Sequence, residues 1–138
     1  MHWQMNGNIY KIMDLKNWFS KKVLGLQNKD YEIIVYEIEE VMRKYFQGKI
    51  GGFNLSRQRN EPYVEFSLEF NLYNFYHIFL NYDRGRFGCA ISYGGQGIPL
   101  KNSQKWYEEA DLNIFVAELD REIRLRIPDK FLEYYGWL

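Results

Sequence analysis

A single cysteine, Cys89, stands in 138 residues. One thiol excludes an internal disulfide framework and any cysteine-based zinc cluster. A chain of this size without staples relies on its core, which fits a reducing compartment. Histidine is nearly as scarce, with His2 near the N-terminus and His77 inside an aromatic stretch. No cysteine or second histidine neighbours His77 in sequence, so a structural or interfacial role is expected there and no metal site. No sign of charge is in surplus: Lys plus Arg number 18, Asp plus Glu 18. The strongly basic footprint of a nucleic-acid binder is therefore missing. Long apolar runs are missing too. The best stretch, Tyr73 to Leu80, is interrupted by Asn74 and His77, well short of the roughly 18 residues a membrane span needs. The first ten residues include Gln4, Asn6, Gly7 and Asn8 and lack the basic start and apolar stretch of a secretory signal. The expectation is a soluble, cytoplasmic protein with no membrane or nucleic-acid partner.

What is present is an ordinary globular balance, 46% hydrophobic and 26% charged. The length points to a single domain over residues 1–138 with one sizeable core. The unusual figure is 19% aromatic, with 12 Tyr, 10 Phe and 4 Trp. That exceeds what one small core holds, so several rings are expected at the surface. Tyrosine offers contact area at small entropic cost and is enriched at protein interfaces.

Asp14, Leu15, Trp18, Phe19 and Gly25 read as a short first helix with an N-cap and a terminal glycine. Tyr31, Ile34, Val35, Ile38, Val41, Met42 and Tyr45 recur at helical steps and predict a second. Asn28 or Asp30 would cap it and Gly48 would end it. Glu32, Glu37, Glu39, Glu40 and Lys44 lie on its opposite face, expected to be solvated. The period then changes. Val64, Phe66, Leu68 and Phe70 alternate with Glu65, Ser67 and Glu69, a strand with one buried face. Phe53 to Gln58 is expected to form the preceding strand, across an Asn60-Glu61-Pro62 turn. Leu72 to Tyr82 is apolar or aromatic at both parities and reads as a central strand covered on both sides. Asp83-Arg84-Gly85 marks a hairpin into Arg86–Tyr93. After Gly94-Gly95-Gln96-Gly97, Leu112, Phe115, Val116, Leu119 and Ile123 mark a helix beginning near Asp111. Pro128 opens a last short helix with Phe131, Leu132, Tyr135 and Leu138 on its apolar side. The fold class expected is α+β: an antiparallel meander of three to five strands flanked by two N-terminal and two C-terminal helices.

No constellation of residues carries a reaction, and no catalytic residue, cofactor or metal is assigned. No G-x-S-x-G string accompanies a histidine. Cys89, between Gly88 and Ala90 on a strand, reads as a small buried hydrophobe. The Gly94–Gly97 run lacks the G-K-[ST] ending of a phosphate loop and is better read as a hairpin end or bulge. Glu65 and Glu69, four strand residues apart, are about 13 Å from each other, wider than glycosidase carboxylates need. Basic residues cluster as Arg57 with Arg59, Arg84 with Arg86, and Arg121, Arg124 and Arg126. Beside sheet aromatics they recommend a single-strand stacking platform, but Glu65 and Glu69 face outward and repel phosphate. The last three sit near a helix C-terminus, where the macrodipole favours cations. What remains is an outer sheet surface with Tyr63, Glu65, Glu69 and Tyr73 as candidate partner contacts, and an edge strand open to a partner strand.

The segment Leu119–Trp137 reads LDREIRLRIPDKFLEYYGW. A helix ending in a basic turn, then Ile-Pro-Asp, then a short helix closing on Gly-Trp resembles the ends of small immunity proteins of bacterial contact-dependent and polymorphic toxin systems. The resemblance implies a cytoplasmic, non-catalytic protein that binds the toxin domain of its own system and blocks its active site or substrate surface. Cognate toxins of this class are often nucleases with basic clefts, so it also implies acidic contacts. With a neutral chain these must be local, drawn from Glu37, Glu40, Glu65, Glu69, Glu108, Glu109 and Asp111. The other readings are an adaptor or regulatory module using the same surface, and a small hydrolase with a dispersed site.

Overall fold

The computed structural model describes residues 29–138. They form helix α1 (Tyr31–Phe46), a 3-10 turn (Gln47–Lys49), strands β1 (Asn54–Arg59), β2 (Glu65–Leu72), β3 (Tyr76–Asp83), β4 (Arg86–Tyr93), β5 (Gln96–Pro99) and β6 (Lys105–Trp106), and helices α2 (Leu112–Arg124) and α3 (Asp129–Tyr134). Strands β1 to β5 run as an antiparallel meander in chain order, and β6 also pairs with β4. The class is α+β with an antiparallel sheet. The helix expected between Asp14 and Gly25 lies outside the described residues. No helix among them is long and apolar enough to cross a membrane.

Helix α1 follows its period. Ile34, Val35, Ile38 and Met42 are buried against the sheet. The stripe closes on Phe46, four residues beyond Met42, and Tyr45 turns outward at 42% exposure. Its N-terminus falls where expected, without the expected side-chain bond, and its C-terminal signal differs. Asp30 occupies the N-cap position without a side-chain cap bond. Instead the Tyr31 amide donates to Asn60 Oδ1 at 2.8 Å, so a loop 29 residues away satisfies one orphan N–H. The left-handed residue at the C-terminus is Gln47 (φ 50°), not Gly48.

The strand phases come out as the alternation requires. Phe66, Leu68, Phe70 and Leu72 of β2, Ile78, Leu80 and Tyr82 of β3, and Phe87, Cys89 and Ile91 of β4 are buried together. Phe115, Val116, Leu119 and Ile123 of α2 complete this core. Rings carry the packing across it: Phe66 stacks on Tyr82 (centroids 5.0 Å) and Phe87 meets Phe115 edge-on (4.9 Å). Cys89 lies inside, and burial pushes its thiol pKa up, which disfavours the reactive thiolate.

Two expectations change. The Leu72–Tyr82 stretch is not one strand covered on both sides. Tyr73 and Asn74 take positive φ (58° and 52°) and Phe75 N–H donates to Leu72 O at 3.1 Å, turning the chain. Strand β3 then begins at Tyr76, and His77 and Asn81 on its second face are exposed. The aromatic run misled because a turn built from Tyr and Asn carries no glycine to mark it. At the C-terminus Leu138 is 61% exposed, and Trp137 packs instead, stacked on Tyr135 at 4.7 Å. The glycine-marked turns hold: Arg84-Gly85 and Gly94-Gly95 are left-handed pairs closing two-residue hairpins.

Candidate partner-binding surface

The side of the sheet away from the helices is polar, and register decides what meets there. Glu65 lies opposite Asp83, Ser67 opposite Asn81, Glu69 opposite Phe79 and Asn71 opposite His77. Ser67 Oγ donates to Asn81 Oδ1 at 2.7 Å. The His77 ring bridges two neighbours, with Nε2 2.9 Å from Glu69 Oε1 and Nδ1 2.8 Å from Asn71 Oδ1.

At one end of this face, like charges oppose each other: Glu65 sits directly across from Asp83, a repulsive cross-strand pair. Two arginines offset it. Arg59 donates from Nε to Glu65 Oε1 (2.8 Å) and Arg84 from Nε to Asp83 Oδ1 (3.0 Å). Each carboxylate raises the pKa of its arginine further. Both guanidiniums also lie on the Tyr63 ring, 5.1 and 4.4 Å from its centroid. Across the β3–β4 turn the motif repeats. Arg86 is the β4 partner of Trp106 on β6, and its guanidinium lies 5.0 Å from the indole centroid. The end of the sheet is thus a rim of stacked arginine and aromatic side chains. A groove of about 330 Å³ opens beside it, lined by Arg86, Gln104, Lys105, Trp106, Glu109 and Ala110.

The expected contacts separate into groups. Tyr63, Glu65 and Glu69 belong to this face. Tyr73 does not: it is 1% exposed and its hydroxyl donates to Asp120 Oδ1. Its placement on the outer surface is corrected for the reason given above, that it turns the chain rather than continuing the strand. Burial, and then Asp120, push its pKa up. Glu37 and Glu40 sit on α1, on the helical side. Glu37 accepts from Lys29 Nζ (2.9 and 2.8 Å) and from Tyr107 Oη (2.6 Å). Glu40 is exposed, with Tyr36 Oη donating to it at 3.3 Å. Glu108 and Glu109 are exposed in the loop before α2. Asp111 is engaged as the N-cap of α2, accepting from the amides of Asn113 (2.9 Å) and Ile114 (3.4 Å). A single acidic recognition patch drawn from all these residues is therefore not formed.

Burial pushes the Glu37 carboxyl upward, but the hydrogen bonds from Lys29 and Tyr107 outweigh it and the net pKa lies below the ordinary 4.5. A depressed folded pKa adds stability above the unfolded value and loses it as pH falls through the folded one. Glu37→Gln should therefore flatten the acid limb of the stability profile. Urea unfolding at about pH 6 and about pH 3 checks this; equal pH dependence in variant and wild type would contradict it.

Trp106 was not singled out by sequence, since a two-residue strand leaves no period to read. The Arg84 and Arg86 pair beside a hairpin glycine was visible as a basic cluster, but its stacking partners were not. Among the described residues no three potential metal ligands come together. Compared with known protein families, with characterised proteins and with solved structures, the chain matches none.

Proposed function

We propose that this chain is an immunity protein of the contact-dependent or polymorphic toxin class. It acts in the cytoplasm, without turnover, by binding a cognate toxin domain and occluding its active site or substrate surface. The observation that carries the reading is the outer sheet face. It has no helix over it among the described residues, and it holds Tyr63 and Trp106 with arginines already stacked on them. Trp, Tyr and Arg dominate interface hot spots. Side chains fixed before encounter lose less entropy on binding. The resemblance in Leu119–Trp137 supports the class and not the contacts. Arg124 there donates to the Trp137 carbonyl (3.2 Å), and Ile123, Ile127 and Leu132 are buried, all structural duties.

Co-expression with a toxin domain encoded by a neighbouring reading frame is the direct test. Growth should be rescued, and the purified pair should form a 1:1 complex. Failure to rescue ends the proposal. Glu69 is partly exposed and held only by His77 among the described residues, so Glu69→Lys should weaken the complex about tenfold. The melting temperature should stay nearly unchanged, because exposed ion pairs add little stability. Wild-type affinity in that variant would move the contact off the sheet face.

A further inference from the structure

The rim divides its cations unequally. Arg59 is paired with Glu65 and Arg84 with Asp83, while Lys105 reaches Glu118 at 3.6 Å. Arg86 has no ion pair or hydrogen-bonded carboxylate among the described residues, and its guanidinium lies 5.0 Å from the Trp106 ring centroid. Glu109, at the groove wall, is engaged in an interaction of its own. A guanidinium carries a planar fork of N–H donors that takes a carboxylate through two parallel hydrogen bonds, and the Trp106 ring restricts the Arg86 side chain on one side. Trp106, 41% exposed, supplies apolar area beside it.

We propose that the Arg86–Trp106 groove is the docking site for an acidic segment of a protein partner, one carboxylate seated on the Arg86 fork and the adjoining chain lying along Trp106. The inference rests on the reading of this chain as a binding protein, but not on the partner being a toxin. Three features favour a peptide carboxylate over a nucleic-acid backbone. Polyanion binding draws its affinity from many neutralised phosphates, and among the described residues the rim has only Arg86 without a carboxylate partner. Glu65, Asp83 and Glu109 stand along the same end and repel a dense row of negative charge more than an isolated carboxylate. The groove, at about 330 Å³, accommodates a few side chains and not a continuous strand.

The test uses the full chain, isotope-labelled, and follows the Trp106 indole N–H resonance, identified by its loss in Trp106→Phe. A short oligoglutamate peptide should shift it in a saturable way. Arg86→Ala should weaken that binding about tenfold, and Arg86→Lys should recover only part of it, since an ammonium lacks the fork. An oligothymidylate strand of equal charge should bind more weakly. No shift with oligoglutamate, equal binding by Arg86→Ala and Arg86→Lys as by wild type, or tighter binding of oligothymidylate would each overturn the proposal. Failed rescue by co-expression removes the toxin partner and leaves this site standing. Failed titration removes this site and leaves the Glu69 face to the toxin.

Discussion

Phe66→Ala is expected to destabilise the protein by about 3–5 kcal/mol, the range for truncating a buried ring. Phe66 is 1% exposed and stacks nearly parallel on Tyr82, 5° between planes. Tyr82 then meets Tyr107 edge-on, Tyr107 meets Phe87, and Phe87 meets Phe115. The ring row thus runs from β2 across the sheet to α2, and Phe66 is its first member. Removing it subtracts transfer free energy and leaves a void that rigid neighbours fill only in part. Water is a poor remedy. The Tyr82 hydroxyl is buried without a hydrogen-bond partner among the described residues, but a water needs two to four polar partners to stay. Burial, then the Glu108 carboxylate, push the pKa of that hydroxyl up, so it stays neutral, and alone it supplies too few partners to hold a water. Urea unfolding should show a lower midpoint with an unchanged slope. A loss below about 1 kcal/mol would mean that β2 presents the other parity to the core.

Asp120→Ala should cost about 2–3 kcal/mol, more than a half-exposed aspartate usually does. Asp120 on α2 accepts from two tyrosines: Tyr73 in the β2–β3 turn and, at 2.9 Å, Tyr45 on α1. Tyr45 is exposed and can turn to water. Tyr73 is 1% exposed and cannot, so the substitution strands a buried donor and incurs its desolvation. The same ring is touched by Trp137 of the C-terminal segment, edge-on at 5.5 Å, and by Arg124 at the end of α2, 5.9 Å from the centroid. One carboxylate therefore ties α1, the β2–β3 turn and α2 together next to the C-terminus. A double-mutant cycle with Tyr73→Phe isolates the bond. The pair should cost clearly less than the sum of the singles, because Tyr73→Phe removes the group that Asp120→Ala orphans. Strict additivity, or a loss within about 0.5 kcal/mol of wild type for Asp120→Ala, would show that the bond carries no stability.

Much of the meander was legible because side-chain parity is local. In β2 the inward residues Phe66, Leu68 and Phe70 could be assigned from alternation, while Leu72, read as the start of the next strand, could not. The same holds for Phe115, Val116, Leu119 and Ile123 on α2, whose Asp111 cap precedes the apolar stripe by one residue. The misreadings share a different origin. Tyr73 looked like a strand residue because nothing in its neighbourhood distinguishes a positive-φ tyrosine from an extended one. Asp111 and Glu37 looked like available acids, since a carboxylate that caps a helix or accepts from Lys29 and Tyr107 has the same sequence appearance as a solvated one.

Local sequence by itself determined the α+β class, the inward faces of β2 and α2 and the two glycine turns, because each depends on contacts a few residues apart. Only the tertiary structure decided which charges neutralise one another, which aromatic rings lie under arginines, and where the helix cap at Asn60 comes from. The Arg86–Trp106 and Tyr73–Asp120 pairings and the Asn60 cap follow from strand register and from segments brought together across tens of residues. The free energy of each belongs to the closed fold and has no counterpart in the local chain.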